Sequence, residues 1–158
     1  MERGAFELAV EALSRKERTV GELRGWLIAR AVEPSEIDEA LERLTAIGEL
    51  DDERFAQRYA EDKRALRGWG PDRIREALVE RGIDRHIAEA AVGGEGPEEQ
   101  AERAAALLVG RGMDMDGEAH RGRALAYLAR RGFDYEVAYQ AVRLAERRLA
   151  VGRGPRAA

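Results

Sequence analysis

The residues with the most obvious chemical potential lie in the stretch LDDERFAQRYAEDKRALRGWGPDRIREALVERGI, residues 50–83. Lys63, Arg64, Arg67, Arg73 and Arg75 crowd around a Gly68-Trp69-Gly70-Pro71 turn, in a chain whose formal net charge is −4. Lys63 and Arg67 are four residues apart, which puts them on one face of a helix. Gly68 and Gly70 break that helix, and Pro71 suits the first turn of the next. Two readings stand side by side. In one, these cations pair along solvated helices with Glu61, Asp62, Asp72, Glu76 and Glu80. In the other, the turn presents them to something anionic, either acidic protein surface or nucleic-acid phosphate. Trp69, between two glycines, lies off any helical stripe. It either folds back onto a core or is exposed as an interface anchor or a stacking platform for a base.

A second basic region comprises Arg130, Arg131, Arg143, Arg147 and Arg148. Cations at a helix C-terminus are favoured by the dipole, which is reason enough for Arg130 and Arg131. Arg147, Arg148, Arg153 and Arg156 would add salt-sensitive attraction to phosphate.

Other chemistries find little support. DMDGEAH (114–120) has two acids and a glycine but neither the register nor the distal Glu of a calcium loop. A helix N-terminus capped by Asp116, with Glu118 in its first turn, accounts for it without a metal. His86 and His120 have no Cys or Ser partner in an activation motif, and no phosphate-cradling Gly-Lys-Ser/Thr motif occurs. The expectation is a noncatalytic protein without cofactor or metal.

Composition sets the frame. The 158 residues are 44% apolar and 37% charged, with no cysteine. The charged share exceeds the usual ~25% and implies much exposed helical surface, hence an elongated shape. Of the 27 basic residues only Lys16 and Lys63 are lysine, and guanidinium forks suit phosphate and carboxylate. Residues 1–50 carry 7 basic and 11 acidic groups, residues 51–96 carry 9 and 11, and residues 97–158 carry 11 and 9. That mild gradient argues against a dedicated DNA-binding domain, which is usually clearly basic. The N-terminus MERGAFELAV has no basic region followed by an apolar run, and no apolar stretch reaches a membrane span, so the expected location is the cytoplasm.

The elements that must position these residues come in three copies. LRGWLIARAVEPSEIDEAL (23–41), IREALVERGIDRHIAEAAV (74–92) and ALAYLARRGFDYEVAYQAV (124–142) align, with Arg30, Arg81 and Arg131 in equivalent places. Each copy reads as helix, stop, apolar clasp, cap, helix. Leu23, Trp26 and Leu27, Ile74, Ala77 and Leu78, and Ala124, Tyr127 and Leu128 form buried stripes. Gly82 and Gly132 end helices in the left-handed conformation, and Asp84 and Asp134 cap the next ones. The following stripes are Ile37, Ala40, Leu41 and Leu44; Ile87, Ala90 and Ala91; and Val137, Ala141 and Leu144. A further helix precedes each pair, marked by Phe6, Ala9, Val10 and Leu13, by Phe55 and Tyr59, and by Ala104, Leu107 and Leu108. No sustained alternation suggests a strand. The predicted fold is all-α: three tandem three-helix repeats (1–50, 51–96 and 97–150) stacked into an elongated, curved array, with a flexible tail at 151–158. IGELDD (47–52) and GGEGPEE (93–99) punctuate the repeats, and GRGMDMDGE (110–118) is the longest internal loop.

With the repeat established, residues 50–83 resemble the signature of the RecX family of recombination regulatory proteins. The matching elements are Leu50-Asp51-Asp52 with Arg54-Phe55-Ala56, Gly68-x-Gly70-Pro71 with Arg73-Ile74, Leu78, and Gly82-Ile83. LARRGFDYEVAYQAV (128–142) resembles the same family's C-terminal motif, and the resemblance extends over about residues 5–149. Two departures are Ala31, where glycine is common, and the glycine-rich 93–98. The resemblance implies three tandem three-helix units and binding to RecA recombinase filaments on single-stranded DNA. It further implies limits on filament growth, ATPase, strand exchange and coprotease activity, with DNA as an additional ligand of some members. The contacts expected on this basis are Arg64, Arg67, Trp69, Arg73 and Arg75 with Lys63, then Arg130, Arg131 and Arg147, in a protein acting as a monomer. Two other classes remain open: a DNA-binding helical module acting alone, and a helical adaptor for an unrelated partner.

Overall fold

The structure is a computed structural model that describes residues 3–154. Among these it has nine α-helices and no strand: α1 (Ala5–Arg15), α2 (Val20–Ile28), α3 (Pro34–Ala46), α4 (Asp52–Arg67), α5 (Pro71–Glu80), α6 (Arg85–Val92), α7 (Pro97–Gly110), α8 (Glu118–Arg131) and α9 (Tyr135–Gly152). The all-α repeat reading holds. α9 reaches two residues into the stretch expected as a tail, whose last four residues lie outside the described ones. The chain divides into two compact units, residues 1–59 with 77–91 and residues 60–76 with 92–158. Helices α4 and α5 each contribute to both.

In the first unit, α1, α2 and α3 enclose a core of Ala9, Ala12, Leu23, Leu27, Ile37, Leu41, Leu44 and Leu50. Leu23, Leu27 and Ile37 were expected there. Helix α1 differs in detail: it buries Ala5, Ala9 and Ala12 while Val10 faces solvent. The small residues are the ones that let a helix approach its neighbours closely. On α6 the buried set is Ala88, Ala91 and Val92, not Ile87 and Ala90. The helix is thus rotated by one residue from the predicted stripe.

In the second unit, α7 and α8 pack on α9, with Ala101, Ala104, Ala105, Leu108, Ala124, Leu128, Val137, Ala138, Ala141 and Ala145 fully or almost fully buried. Met115, from the 111–117 loop, plugs this core.

The three helix stops share one geometry. Val32, Ile83 and Phe133 donate their amides to Leu27, Leu78 and Leu128, at 3.3, 3.1 and 3.1 Å. The preceding amides of Ala31, Gly82 and Gly132 donate to Ile28, Val79 and Ala129. This double bond pattern requires a left-handed residue at the stop, and φ is +57° at Ala31, +86° at Gly82 and +95° at Gly132. Ala31 is therefore a true stop despite its side chain. Asp134 caps α9 as expected, accepting from the Val137 amide at 2.9 Å.

Two of these stops also serve as docking points for another helix start. In the second unit, the amides at the start of α5 donate to carbonyls at the end of α8: Gly70 to Arg131 at 2.6 Å and Asp72 to Gly132 at 3.0 Å. These bonds satisfy amides that a helix start otherwise leaves unpaired. A methyl on Gly70 would lie 2.5 Å from the Gly132 carbonyl carbon and oxygen. In the first unit, the start of α2 meets the end of α5 in the same way, with a methyl on Gly21 placed 3.4 Å from the Gly82 Cα. Here the Thr19 hydroxyl donates to the Arg81 carbonyl at 2.7 Å and accepts from the Glu22 amide at 3.0 Å. Thr19 is fully buried.

Adjacent aspartates cap two different helices. Asp51 accepts from Arg54 at the start of α4, and Asp52 accepts from Val20 at the start of α2, at 3.0 and 2.9 Å. Burial holds the Asp52 carboxyl above the usual carboxylate range, against the Val20 bond and with the nearby Asp84, Asp51 and Glu22 charges adding to the rise.

Three substitutions test these stops and the helix starts docked on them. Ala31→Gly removes a left-handed strain of roughly 1–2 kcal/mol, partly offset by the greater unfolded-state freedom of glycine. A net gain of about 0.5–1 kcal/mol is expected, read as a melting temperature a few degrees higher. Gly70→Ala forces apart two backbones that have no side chain to move, and should cost about 3 kcal/mol in denaturant unfolding. Gly21→Ala meets an ordinary contact and should cost less than about 1 kcal/mol, since alanine is the better helix former.

Candidate functional site

Helix α8 ends against the turn between α4 and α5, and this brings Arg130 and Arg131 of the second basic region to the first cluster, 55 or more residues away in sequence. Trp69 donates its amide to the Lys63 carbonyl at 3.1 Å, which folds the turn back along α4. Its ring is half-buried, with Lys63 Nζ 4.9 Å and Arg73 Cζ 4.1 Å from its centroid. The tryptophan falls between the two alternatives, its ring half-buried and flanked by cations.

The arginines divide by the kind of acceptor they have found. Arg73 donates to the Arg130 carbonyl at 3.2 Å, and Arg131 donates to the Arg67 carbonyl. Main-chain carbonyls orient a guanidinium but do not neutralise it. Arg67, Arg73, Arg130 and Arg131 have no carboxylate within ion-pair distance among the described residues. Arg131 also sits 5.1 Å from the Tyr127 ring, with Arg111 at 4.8 Å from it.

Arg64 and Arg75 are placed differently. Arg64 Nε is 3.5 Å from Glu95, which also pairs with Arg103 at 2.6 Å, and the Arg64 side chain is 21% exposed. Arg75 pairs with Asp72 at 2.8 Å. Of the carboxylates expected to neutralise the cluster, Asp72 is seen doing so, and Glu95 was not foreseen. Arg147 is exposed on α9, and no hydrogen bond, ion pair or ring contact among the described residues joins it to the turn. Arg148 pairs with Glu102, and Arg153 with Asp116 at 2.8 Å. Arg156 lies outside the described residues.

A second charged network escaped the sequence reading. Arg81 donates to both Glu22 oxygens, at 2.9 and 3.2 Å, and lies 4.6 Å from the Phe55 ring. The signal that would have found its anchor is Thr19-x-x-Glu22, the reciprocal helix-start pattern, which the structure forms in full. Arg30, in the equivalent place in the first repeat, stacks on Trp26 at 3.3 Å.

Asp116 does not cap α8. The cap position belongs to Gly117 at φ +91°, while the Asp116 carboxylate turns to Arg153 and its amide donates to Asp114. That bond lowers the Asp114 carboxyl below its ordinary range. His120 bonds the Asp116 carbonyl. Among the described residues, no three His, Asp or Glu converge as metal ligands, and no helix is long and apolar enough to cross a membrane.

Residues 5–44 match the RecX first three-helix domain, and residues 51–92 match the RecX second three-helix domain. A regulatory protein RecX of Thermus thermophilus is 35% identical over 142 residues, covering 90% of this chain and 92% of its own. One from Deinococcus radiodurans is 36% identical over 136 residues, and the match covers 85% of this chain but 65% of that longer protein. The crystal structure of RecX from Lactobacillus salivarius superposes with a TM-score of 0.81 at 22% identity, over 90% of this chain and 94% of that one. A second RecX crystal structure gives 0.74 at 24% identity, over 87% and 69%. These two likenesses speak for the fold, and the sequence matches speak for descent: the chain belongs to the RecX family of regulatory proteins.

Proposed function

We propose that this chain is a noncatalytic regulator of homologous recombination and DNA repair in the cytoplasm. It binds, as a monomer and without cofactor, to RecA-type filaments on single-stranded DNA, and so restrains their growth, ATPase and strand exchange. Its units of recognition are the repeats 1–50, 51–96 and 97–150. The observation that carries the reading is the turn at 68–70. In a chain of net charge −4, it gathers Lys63, Arg67, Arg73, Arg130 and Arg131 around the half-buried Trp69. Cations held by carbonyls lose less freedom on binding than mobile ones, so more of the interaction appears as affinity. A tryptophan flanked by cations suits the anchor of an interface with an acidic protein surface or a phosphate backbone. Occupancy is the mechanism: a bound regulator obstructs addition of the next recombinase subunit. In this reading Arg64 and Arg75, already paired, support the turn from within.

The test is RecA's single-stranded-DNA-dependent ATPase, titrated with purified protein. The parent protein should inhibit at substoichiometric ratios. Arg67→Ala/Arg73→Ala should need roughly tenfold more protein, equivalent to about 1.4 kcal/mol, and Trp69→Ala at least as much. Arg75→Ala should stay within about twofold, its charge being spent on Asp72. A parent protein with no effect across a wide concentration range would overturn the reading.

A further inference from the structure

An open groove of about 700 Å³ runs between the start of α7 and the middle of α9. It lies in the second unit, at the glycine-rich stretch 93–98 where the chain departs from the family pattern. The buried Ala101 and the half-buried Leu144 give it an apolar floor, and the exposed Gln140 stands on its α9 wall. Its rim is acidic, with four glutamates in the lining against one arginine. Glu95 is held by Arg103 and Arg64, at 2.6 and 3.5 Å, and Glu102 pairs with Arg148. Glu98 and Glu99 are exposed and have no cation within ion-pair distance among the described residues. The helix dipole favours acids in the first turn of α7, but it does not account for what faces them. A chain with 27 basic residues sets none of them on the α9 wall of this groove: Arg143, Arg147 and Arg148 all stand outside its lining.

We propose that this groove docks a basic, amphipathic segment of a partner protein, its apolar side chains on Ala101 and Leu144 and its lysines or arginines on Glu98 and Glu99. Charge complementarity selects the class. A nucleic-acid strand or an acidic protein surface, which suits the turn at 68–70, is repelled by these glutamates. A purely apolar segment would cover two carboxylates without pairing them, and a bare polycation would leave the floor unused. A helix laid in the groove supplies both, with apolar anchors at i, i+3, i+4 and i+7 and cations on their flanks. The inference does not rest on the filament reading. It is measured without recombinase, so the two fail separately.

The experiment is fluorescence anisotropy of a labelled synthetic helix of about 14 residues, roughly four turns, with leucine on one side and lysine on the other, titrated with the full chain. The controls are the same peptide with serine for leucine and with glutamate for lysine. The parent should bind the leucine–lysine peptide roughly tenfold tighter than either control. Glu98→Gln/Glu99→Gln should weaken that binding roughly fivefold, the loss expected of two exposed ion pairs. Gln140→Arg, which sets the chain's own cation in the groove, should weaken it at least as much. Glu39→Gln/Glu42→Gln removes the same charge from exposed positions on α3 and should change the affinity by less than about twofold. Circular dichroism of each variant should match the parent, since all five positions are exposed. Equal binding of the serine peptide, or unchanged binding by Glu98→Gln/Glu99→Gln, overturns the proposal. So does displacement of the peptide by an equal concentration of spermidine, which would make the groove a polyamine site. Self-association of the parent in sedimentation velocity, abolished by Gln140→Arg, overturns it as well and would assign the groove to a second copy of the chain.

Discussion

The bond from the Gly70 amide to the Arg131 carbonyl, with Asp72 to Gly132 beside it, is the contact on which the candidate site depends. It joins the amide-rich start of α5 to the carbonyl-rich end of α8, so the partial charges of the two termini attract. It also satisfies groups that would otherwise need water or a side-chain cap. Such an approach is available only where neither residue has a Cβ in the way, and both are glycine. The first unit solves the same problem less tightly, with the Thr19 hydroxyl supplying the bond to the Arg81 carbonyl. One solution, used twice, relates helix starts to helix ends in successive repeats.

The joint has an electrostatic consequence. It brings Arg130 and Arg131 to a turn that already carries Lys63, Arg67 and Arg73, and it gives Arg73 and Arg131 carbonyl acceptors rather than carboxylates. Other arginines have carboxylate partners: Arg81 with Glu22, Arg103 with Glu95 and, beside the turn itself, Arg75 with Asp72. The turn is thus a local concentration of cations within an acidic chain. Exposed like charges so close repel by an amount that salt screens only in part, and an anionic partner relieves that repulsion.

Local chemistry was legible in the sequence, and distant pairing was not. Gly82, Gly132 and Asp134 announce a stop and a cap because each acts on its own turn of chain, and Leu23, Leu27, Leu78 and Leu128 declare a stripe by their spacing. Ala31 adopts the same left-handed stop as its glycine counterparts because the surrounding pattern of Leu27 and Val32 imposes it. The pairing of Arg131 with Arg67 and of Thr19 with Arg81 spans more than 60 residues, and nothing within either segment names the other. Asp116 misled because its cap chemistry competes with an ion pair to Arg153, far along the chain. The α6 stripe slipped by one residue because a run of Ile, Ala, Ala and Val offers several nearly equivalent faces. At the site itself, residue types were readable from Lys63 to Arg75. Which cations remain unneutralised depends on Glu95 and on α8, which only the fold brings near.

Amide hydrogen exchange at Gly70 and Asp72 tests the joint most directly. Both amides sit at a helix start, where exchange is ordinarily rapid. If they are bonded to Arg131 and Gly132 as described, they should be protected to the same extent as the core amides of Ile74 and Leu78. Exchange at the rate of an open turn, with Ile74 and Leu78 still protected, would contradict the account.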